Sequence, residues 1–230
     1  VKAVTEMPGF KEYISDLGGP SANMYRMKGK DEHICRKCKK PSCIHPVVCK
    51  NLNADHAPLL ELYREADKVP GIKKTFIGSG VRYDLLLHSY DNEALRTAAR
   101  EYTEELIKHH VSGRLKVAPE HTEEHVLKVM RKPSFAQFET FRKIFDRINK
   151  ENGLKQQLIP YFISSHPGCS AVHMAELAVK TKQQNFHLEQ VQDFTPTPMT
   201  VATEIFYTGF HPYTLEKLEC ARTKEEKLAQ

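Results

Sequence analysis

The feature that most constrains this chain is a cluster of four cysteines in one short basic loop. The segment CRKCKKPSCIHPVVC contains Cys35, Cys38, Cys43 and Cys49 with the spacing C-x2-C-x4-C-x5-C. Thiols this close together are typical of a single metal centre, because tetrahedral thiolate sites suit both zinc and iron–sulfur clusters. The sequence therefore predicts a structural or electron-transfer site that holds zinc or an iron–sulfur cluster. His45 is a substitute ligand, and the alternative is a chance clustering of free thiols.

The positive charge of the chain is concentrated around these cysteines. The formal net charge is +5, but residues 26–50 contain eight Lys and Arg against two acidic residues, a local net charge of +6. One interpretation is that the lysines offset the charge of metal-bound thiolates. The other is a surface for an anionic partner such as nucleic acid. No aromatic residue is interleaved with the lysines, so base stacking is not indicated.

Composition limits the class of protein. The 230 residues are 40% hydrophobic, which is enough for a core, and no apolar run approaches the roughly 20 residues that a membrane helix needs. The start, VKAVTEMPGFKEY, lacks the apolar centre of a signal peptide. We therefore expect a cytoplasmic protein in which the thiols stay reduced. Because the chain does not open with Met, we expect a piece of a longer protein.

Strand and helix signals alternate along the chain. Tyr13 to Leu17, Thr75 to Ile77, Leu115 to Ala118, Leu158 to Ile163 and the region near Leu188 to Phe194 have the character of strands, with helical patterns between them. Strands separated by helices form parallel sheets, in which chemistry gathers beyond the carboxyl ends of the strands. Small, polar and ionisable residues follow these strands: Gly18-Gly19, Ser79 to Arg82, Glu120-His121, Ser164 to His166, and Thr195 to Pro198.

Five segments in order resemble one family. DLGGPSANMY, GSGVRYDLL, LKVAPEHT, IPYFISSHPGC and FTPTPMTVATEIFYTG look like the corresponding segments of the YgiQ-type radical SAM proteins, iron–sulfur oxidoreductases of unassigned reaction. The resemblance runs from about Asp16 to Gly209. It implies a partial (β/α)6 TIM-like barrel, in which a C-x3-C-x2-C loop holds a [4Fe–4S] cluster and S-adenosylmethionine (SAM) is cleaved to a 5′-deoxyadenosyl radical.

The C-x3-C-x2-C motif is absent from this chain, and the four loop cysteines do not match its spacing. The resemblance therefore implies a barrel truncated by its first strand, over residues 1–212, followed by a charged tail, 213–230. Such a piece is expected to be inactive alone, whereas the intact parent is an enzyme. An exposed sheet edge is then expected, which favours self-association.

The resemblance also implies a set of cofactor-binding residues. Gly18 and Gly19 match the stretch that meets the methionyl amino group of SAM, although the acidic residue that usually follows is missing. Arg82 is placed to pair with the carboxylate of SAM, and Glu120 lies near the ribose. The full set is Gly18, Gly19, Ser79, Arg82, Glu120, Ser164, Ser165, His166 and Phe194, the last beside the adenine.

Six of these nine residues also have an ordinary structural interpretation. The two glycines suit a turn with positive φ, Arg82 a salt bridge, and Glu120 the start of a helix capped by Thr122. His166 suits a shaped loop and Phe194 the core. The sequence alone leaves both interpretations open.

A competing motif is the segment HTEEH, which fits the H-x-x-E-H pattern of a zinc peptidase. In that pattern both histidines lie on one helix. Thr122 is predicted to cap the helix, which leaves His121 outside it and argues against the peptidase.

Two hypotheses of different class follow. The first is a fragment of a radical SAM enzyme, with SAM and a [4Fe–4S] cluster bound in the parent. The second is a non-catalytic, metal-stabilised module that binds nucleic acid or protein through the basic loop.

Overall fold

The protein has a mixed α/β fold. The computed structural model describes residues 1–19, 21–186, 188 and 190–230. The helices are α1 (Lys2–Thr5), α2 (Glu32–Lys37), α3 (Ala57–Asp67), α4 (Tyr83–Leu86), α5 (Glu93–Glu105), α6 (Glu124–Met130), α7 (Phe135–Glu151), α8 (Ala171–Gln183), α9 (Val201–Thr208) and α10 (Lys224–Leu228). The strands are β1 (Tyr13–Ile14), β2 (Lys28–Gly29), β3 (Leu52–Asn53), β4 (Lys74–Thr75), β5 (Arg114–Glu120), β6 (Gln157–Ser164) and β7 (Gln190–Asp193). A π-helical turn, Leu106–His110, continues α5.

The described strands form three small sheets. β1 pairs with β4 in parallel, β2 pairs with β3 antiparallel, and β5, β6 and β7 form a three-stranded sheet in that order. β6 and β7 are parallel, with Ser164 opposite Asp193. Within each parallel pair, the residues that follow the two strands lie at the same edge of that pair. Closure into a barrel stays a prediction.

The chain divides into two compact units. The first contains residues 1–117 and 139–158, and the second contains residues 118–138 and 159–230. Tyr63, Tyr102 and Leu115 are buried in the first, and Phe162 and Ile205 in the second. The predicted boundary after residue 212 lies inside the second unit and stays a prediction.

Several predicted elements form where the pattern indicates them. The apolar faces of α3 and α5 are buried, as their periodicity predicts. Ser170 caps α8, where its hydroxyl accepts from His173 N–H and the His173 ring accepts from Ser170 N–H. The nearly continuous apolar run that was predicted as a buried strand is β6.

Other local predictions are wrong or fall outside the described residues. Thr122 is not the N-cap of α6, because the helix begins one residue later, after Glu123. Phe76 and Ile77 follow β4 instead of belonging to it, although the Phe76 amide still donates to the Ile14 carbonyl. Pro20, in the predicted turn, and His187 and Glu189, near the last strand, lie outside the described residues.

In the part of the chain that the structure describes, no helix combines the length and apolar character required for crossing a membrane.

Candidate functional site

The ends of β1 and β4 meet at one edge of the first unit. The Leu17 amide donates to the Phe76 carbonyl at 2.8 Å, which carries the parallel pairing beyond the strands. The Asp16 carboxylate then accepts from Ser79 Oγ at 2.5 Å and from the Gly18 and Gly78 amides at 2.8 and 3.1 Å. Ser79 and Gly18, which the sequence assigned to one site, are therefore joined through Asp16.

The pKa of Asp16 lies below its ordinary value. Burial raises the pKa, but the hydrogen bonds from Ser79, Gly18 and Gly78 favour the ionised carboxylate and outweigh burial. Sequence reasoning missed this residue. The available signal was an Asp two residues before a glycine, because Asp accepts readily from the amide two residues on.

The two predicted glycines differ in their surroundings. A Cβ on Gly18 would lie 2.9 Å from Asp16 Oδ1 and 3.1 Å from the Ala22 Cβ, so this position requires a residue without a side chain. A Cβ on Gly19 would meet nothing within 4 Å, so the backbone there is open. Neither glycine has a positive φ, and the interpretation as a left-handed turn is therefore wrong.

Arg82 is held by two partners in the first unit. Its backbone N–H and C=O bond the Asn23 side-chain amide at 2.6 and 3.0 Å, and its guanidinium forks onto the Asp84 carboxylate, with Nε at 3.0 Å from Oδ1. The salt-bridge interpretation of Arg82 is thus confirmed. A carboxylate ligand would compete with Asp84 for the same fork.

His56 supports this arrangement from inside the first unit. It is fully buried, its Nε2 lies 3.3 Å from Asn23 Nδ2, and burial lowers its pKa to about 4. A neutral imidazole beside Asn23 fixes the amide that orients the Arg82 backbone.

In the second unit, Glu120 ends β5 with unusual geometry. Its φ is +67°, which is uncommon for a residue with a side chain, and only 8% of its surface is exposed. Lys132 Nζ lies 2.8 Å from Oε1, whereas Oε2 is buried with no hydrogen-bond partner among the described residues. A buried carboxylate oxygen without a donor fits a ligand that supplies hydroxyl or amino groups.

The ends of β6 and β7 bring four further residues together. Ser164 Oγ donates to Asp193 Oδ1 at 3.2 Å, and Ser165 is buried with a φ of +56°. The His166 ring meets the Phe194 ring edge-on at 5.0 Å. Ser164, Ser165 and His166, the predicted residues at the end of β6, therefore lie beside the end of β7.

His166 is a neutral imidazole with a defined tautomer. Burial lowers its pKa to about 4. Nδ1 lies 2.9 Å from the Pro167 carbonyl, which can only accept, so Nδ1 carries the proton and Nε2 holds a lone pair. Phe194 also packs on Phe206 at 5.7 Å, as expected of a core ring; its predicted contact with adenine stays a prediction.

Asp193 was also missed by sequence reasoning. Burial raises the pKa of its carboxyl, but interactions with Lys227 and with the Ser165 and Ser164 hydroxyls outweigh burial and hold it below the ordinary value. Lys227 Nζ lies 2.9 Å from Oδ2, across 34 residues of sequence. No local pattern reveals such a pair.

The HTEEH segment does not have the geometry of a helical zinc motif. The Glu123 amide donates to His121 Nδ1 at 3.0 Å, so the proton lies on Nε2, which faces Cys169 Sγ at 3.5 Å. Burial, then the nearby His173 and His166, lower the pKa of His121 to about 4. His121 precedes α6, as predicted, while the exposed His125 lies within it.

The cysteine loop is closed at its base by the short β2–β3 hairpin. The Asp31 amide donates to Asn51 Oδ1 at 3.0 Å, and Asn51 Nδ2 donates back to the Asp31 carbonyl at 2.9 Å. Cys35, Cys38 and Cys43 are exposed and Cys49 is half-buried, all as free thiols.

Two sulfur atoms have the surroundings of thiolate ligands. Asn51 Nδ2 donates to Cys35 Sγ at 3.2 Å, and the Lys40 amide donates to Cys38 Sγ at 3.4 Å. A Cβ on Gly29 would lie 2.2 Å from Cys35 Sγ, so the backbone cradles this sulfur. Both sulfurs thus accept hydrogen bonds from N–H donors, as metal-bound thiolates do, and the donor set fits zinc or iron.

Convergence of all four thiols stays a prediction. Among the described residues, no three His, Cys, Asp or Glu side chains have donor atoms gathered around one point.

Comparison with known proteins places this chain inside longer ones. No family model matches it. It is 71% identical over all 230 residues to a UPF0313 protein of Bacteroides thetaiotaomicron, covering 37% of that protein. The chain is homologous to UPF0313 proteins. A relative from Porphyromonas gingivalis is 66% identical over the whole chain, covering 36% of its own length, and one from Clostridium perfringens is 45% identical over 99% of the chain and 33% of its own length. The chain thus spans about a third of the relatives it matches.

Proposed function

We propose that this chain is part of a radical SAM enzyme, and that the residues beyond its parallel strands bind SAM in the intact protein. The proposal rests on the residues that lie at the ends of β1 and β5. The end of β1 combines an open glycine backbone with a satisfied carboxylate, and the end of β5 holds a buried carboxylate oxygen without a donor. A bound [4Fe–4S] cluster supplies the electron that cleaves SAM.

Each residue has a specific task in this proposal. Gly19 offers backbone that no side chain covers, so the methionyl group of SAM approaches it closely. Asp16 fixes Gly18 and Ser79 by accepting from both. In the second unit, Glu120 Oε2 accepts from ribose hydroxyls, and His166 Nε2 offers a second acceptor because its pKa of about 4 keeps it neutral.

The cysteine loop is proposed as a separate thiolate centre for zinc or a second iron–sulfur cluster. A site closed by four thiolates has no open coordination position, which suits structure or electron transfer. Elemental analysis of protein purified without oxygen distinguishes zinc from iron.

Calorimetric titration of SAM into the purified chain tests the proposal. We expect saturable binding, weakened roughly tenfold by Gly19→Leu, whose side chain would fill the open space beside the backbone, and by Glu120→Gln, which replaces a carboxylate acceptor with an amide. Glu101→Gln, on the exposed surface of α5, is the matched control. Binding that is absent, or equal in all four proteins, contradicts the assignment of these residues.

The gene upstream of this segment gives a second test. If the parent protein has no C-x3-C-x2-C motif within about one βα unit before Val1, the radical assignment fails.

A further inference from the structure

The outer face of the cysteine loop carries positive charges without partners. Lys37, Lys39 and Lys40 are exposed, and none of them has a carboxylate within ion-pair distance in the described part of the chain. By contrast, the neighbouring Arg36 lies 3.7 Å from Glu32. We call Lys37, Lys39 and Lys40, with the exposed Ile34 and Val47 of the same loop, the basic face.

The charge of this loop exceeds what a thiolate centre neutralises. Residues 26–50 have a net charge of +6 when the thiols are counted as neutral. A divalent ion held by four thiolates has a net charge of −2, so a net charge of +4 remains. The interpretation that the lysines only balance the metal centre therefore accounts for part of the charge.

Two apolar side chains of the basic face are also exposed to solvent. Ile34 is 56% exposed and Val47 is 72% exposed. Apolar residues surrounded by charged ones are the composition of protein–protein interfaces, in which an apolar centre has a polar rim. Surfaces that bind single-stranded nucleic acids instead stack bases on Phe, Tyr or Trp, and residues 26–50 contain none of these.

Hydrogen bonds hold the base of the loop and the start of α2. Asp31 caps α2 by accepting from the His33 and Ile34 amides at 2.8 and 3.4 Å, and its backbone is joined to Asn51. A preformed surface loses less conformational entropy on association than a flexible one.

From these observations we propose that the basic face docks an acidic protein whose contact surface has an apolar centre. The proposal depends on the fold and charge of the loop alone, so it does not depend on SAM binding at the strand ends. Lys37, Lys39 and Lys40 pair with carboxylates of the partner, and Ile34 and Val47 enter its apolar centre.

Fluorescence anisotropy with three labelled probes of equal charge tests the docking surface. The probes are an acidic helical peptide with leucines along one side, poly-L-glutamate, and a single-stranded oligodeoxynucleotide, each titrated with the reduced 230-residue chain. We expect the leucine-containing peptide to bind most tightly, and the affinity to fall with added salt.

Two variants separate charge from apolar contact. The triple variant Lys37→Glu/Lys39→Glu/Lys40→Glu should lower the affinity for the peptide roughly tenfold or more. Ile34→Ser/Val47→Ser should lower the affinity of the chain for the leucine-containing peptide to its affinity for poly-L-glutamate. The charge-matched control Lys143→Glu/Lys150→Glu/Lys155→Glu reverses three exposed lysines of the same unit outside the loop, and it should retain peptide binding within about threefold.

Three results would overturn the proposal. The first is that the oligodeoxynucleotide binds as tightly as the peptide. The second is that Ile34→Ser/Val47→Ser does not lower the affinity for the peptide. The third is that none of the three probes binds. Because the readout contains no SAM, failure here leaves the proposed enzyme function unaffected, and failure of SAM binding leaves the docking surface unaffected.

Discussion

The strand ends of the two units contain similar polar residues, but these residues differ in their hydrogen-bond partners and in their backbone φ. At the end of β1, Asp16 is fully supplied with donors, and its backbone and that of Gly18 are free of positive φ. At the ends of β5 and β6, Glu120 and Ser165 have positive φ, and Glu120 Oε2 is buried without a hydrogen-bond partner among the described residues.

This difference shows that polar residues at strand ends serve two purposes. In the first unit the carboxylate holds two neighbouring strand ends together, and only the backbone of Gly19 is left open. In the second unit, strained backbone and unpaired polar atoms cost stability, and such features concentrate where ligands bind.

The largest expected effect is the loss of stability at low pH that follows from the buried imidazole of His166. The pKa of His166 is about 4 in the folded protein against 6.5 ordinarily, so its contribution to stability is present above pH 6.5 and is lost as pH falls towards 4. Between pH 4 and pH 6.5, the free energy of unfolding in urea falls as pH is lowered. His166→Gln should reduce the slope of this fall by up to ~1.4 kcal/mol per pH unit. The exposed His109→Gln is the control; an unchanged slope in His166→Gln would contradict the neutral, buried imidazole.

Asp16 should respond in a different pH window. Its pKa is lowered below 3.8, so the stability it contributes is present above pH 3.8 and is lost as pH falls further, through the lowered pKa. At pH 7, Asp16→Ala should cost about 1.5 kcal/mol in urea unfolding, because three donors lose their acceptor at a partly screened position. Ser79→Ala, which removes only one donor, should cost less; an equal cost would show that Asp16 is not the shared acceptor.

Ser165→Gly should act in the opposite direction. Glycine adopts the φ of +56° without the strain that a side chain adds in this region. We expect a gain of about 1 kcal/mol in thermal or urea unfolding. Ser170→Gly, which removes the cap of α8, is a control that should lose stability. A loss in Ser165→Gly would mean that the region is not strained.

The smallest expected effect compares two adjacent glycines. Gly18→Ala places a Cβ 2.9 Å from Asp16 Oδ1 and should cost about 1 kcal/mol. Gly19→Ala meets nothing within 4 Å and should stay within about 0.5 kcal/mol of the wild type. Equal costs for the two changes would argue that Gly19 is also packed.

Local patterns predicted the elements whose signals are local. The periodicity of α3 and α5, the Ser170 cap and the apolar run of β6 each depend on neighbouring residues. The Thr122 cap was wrong because the Glu123 amide is bound by the His121 ring, which moves the start of α6 by one residue.

The finer chemistry of the site could not be predicted in the same way. The pair of Asp193 and Lys227 depends on a distant part of the chain, and the positive φ of Glu120 is unusual for its residue type. Arg82 was assigned to a ligand carboxylate, whereas Asp84, two residues away, occupies its fork. The presence of polar strand ends was predictable, but their satisfied or unpaired state depends on the fold.

The proposed radical SAM function is tested most directly by measuring whether an intact protein that contains this segment forms 5′-deoxyadenosine. This chain would replace the matching third of the Bacteroides thetaiotaomicron relative, which is 71% identical to it. The protein would be reconstituted with iron and sulfide and reduced with dithionite in the presence of SAM. We expect that 5′-deoxyadenosine forms and that Gly19→Leu and Glu120→Gln each lower its yield. A reconstituted protein that leaves SAM uncleaved, or variants that cleave it as well as the parent, would contradict the proposed SAM site.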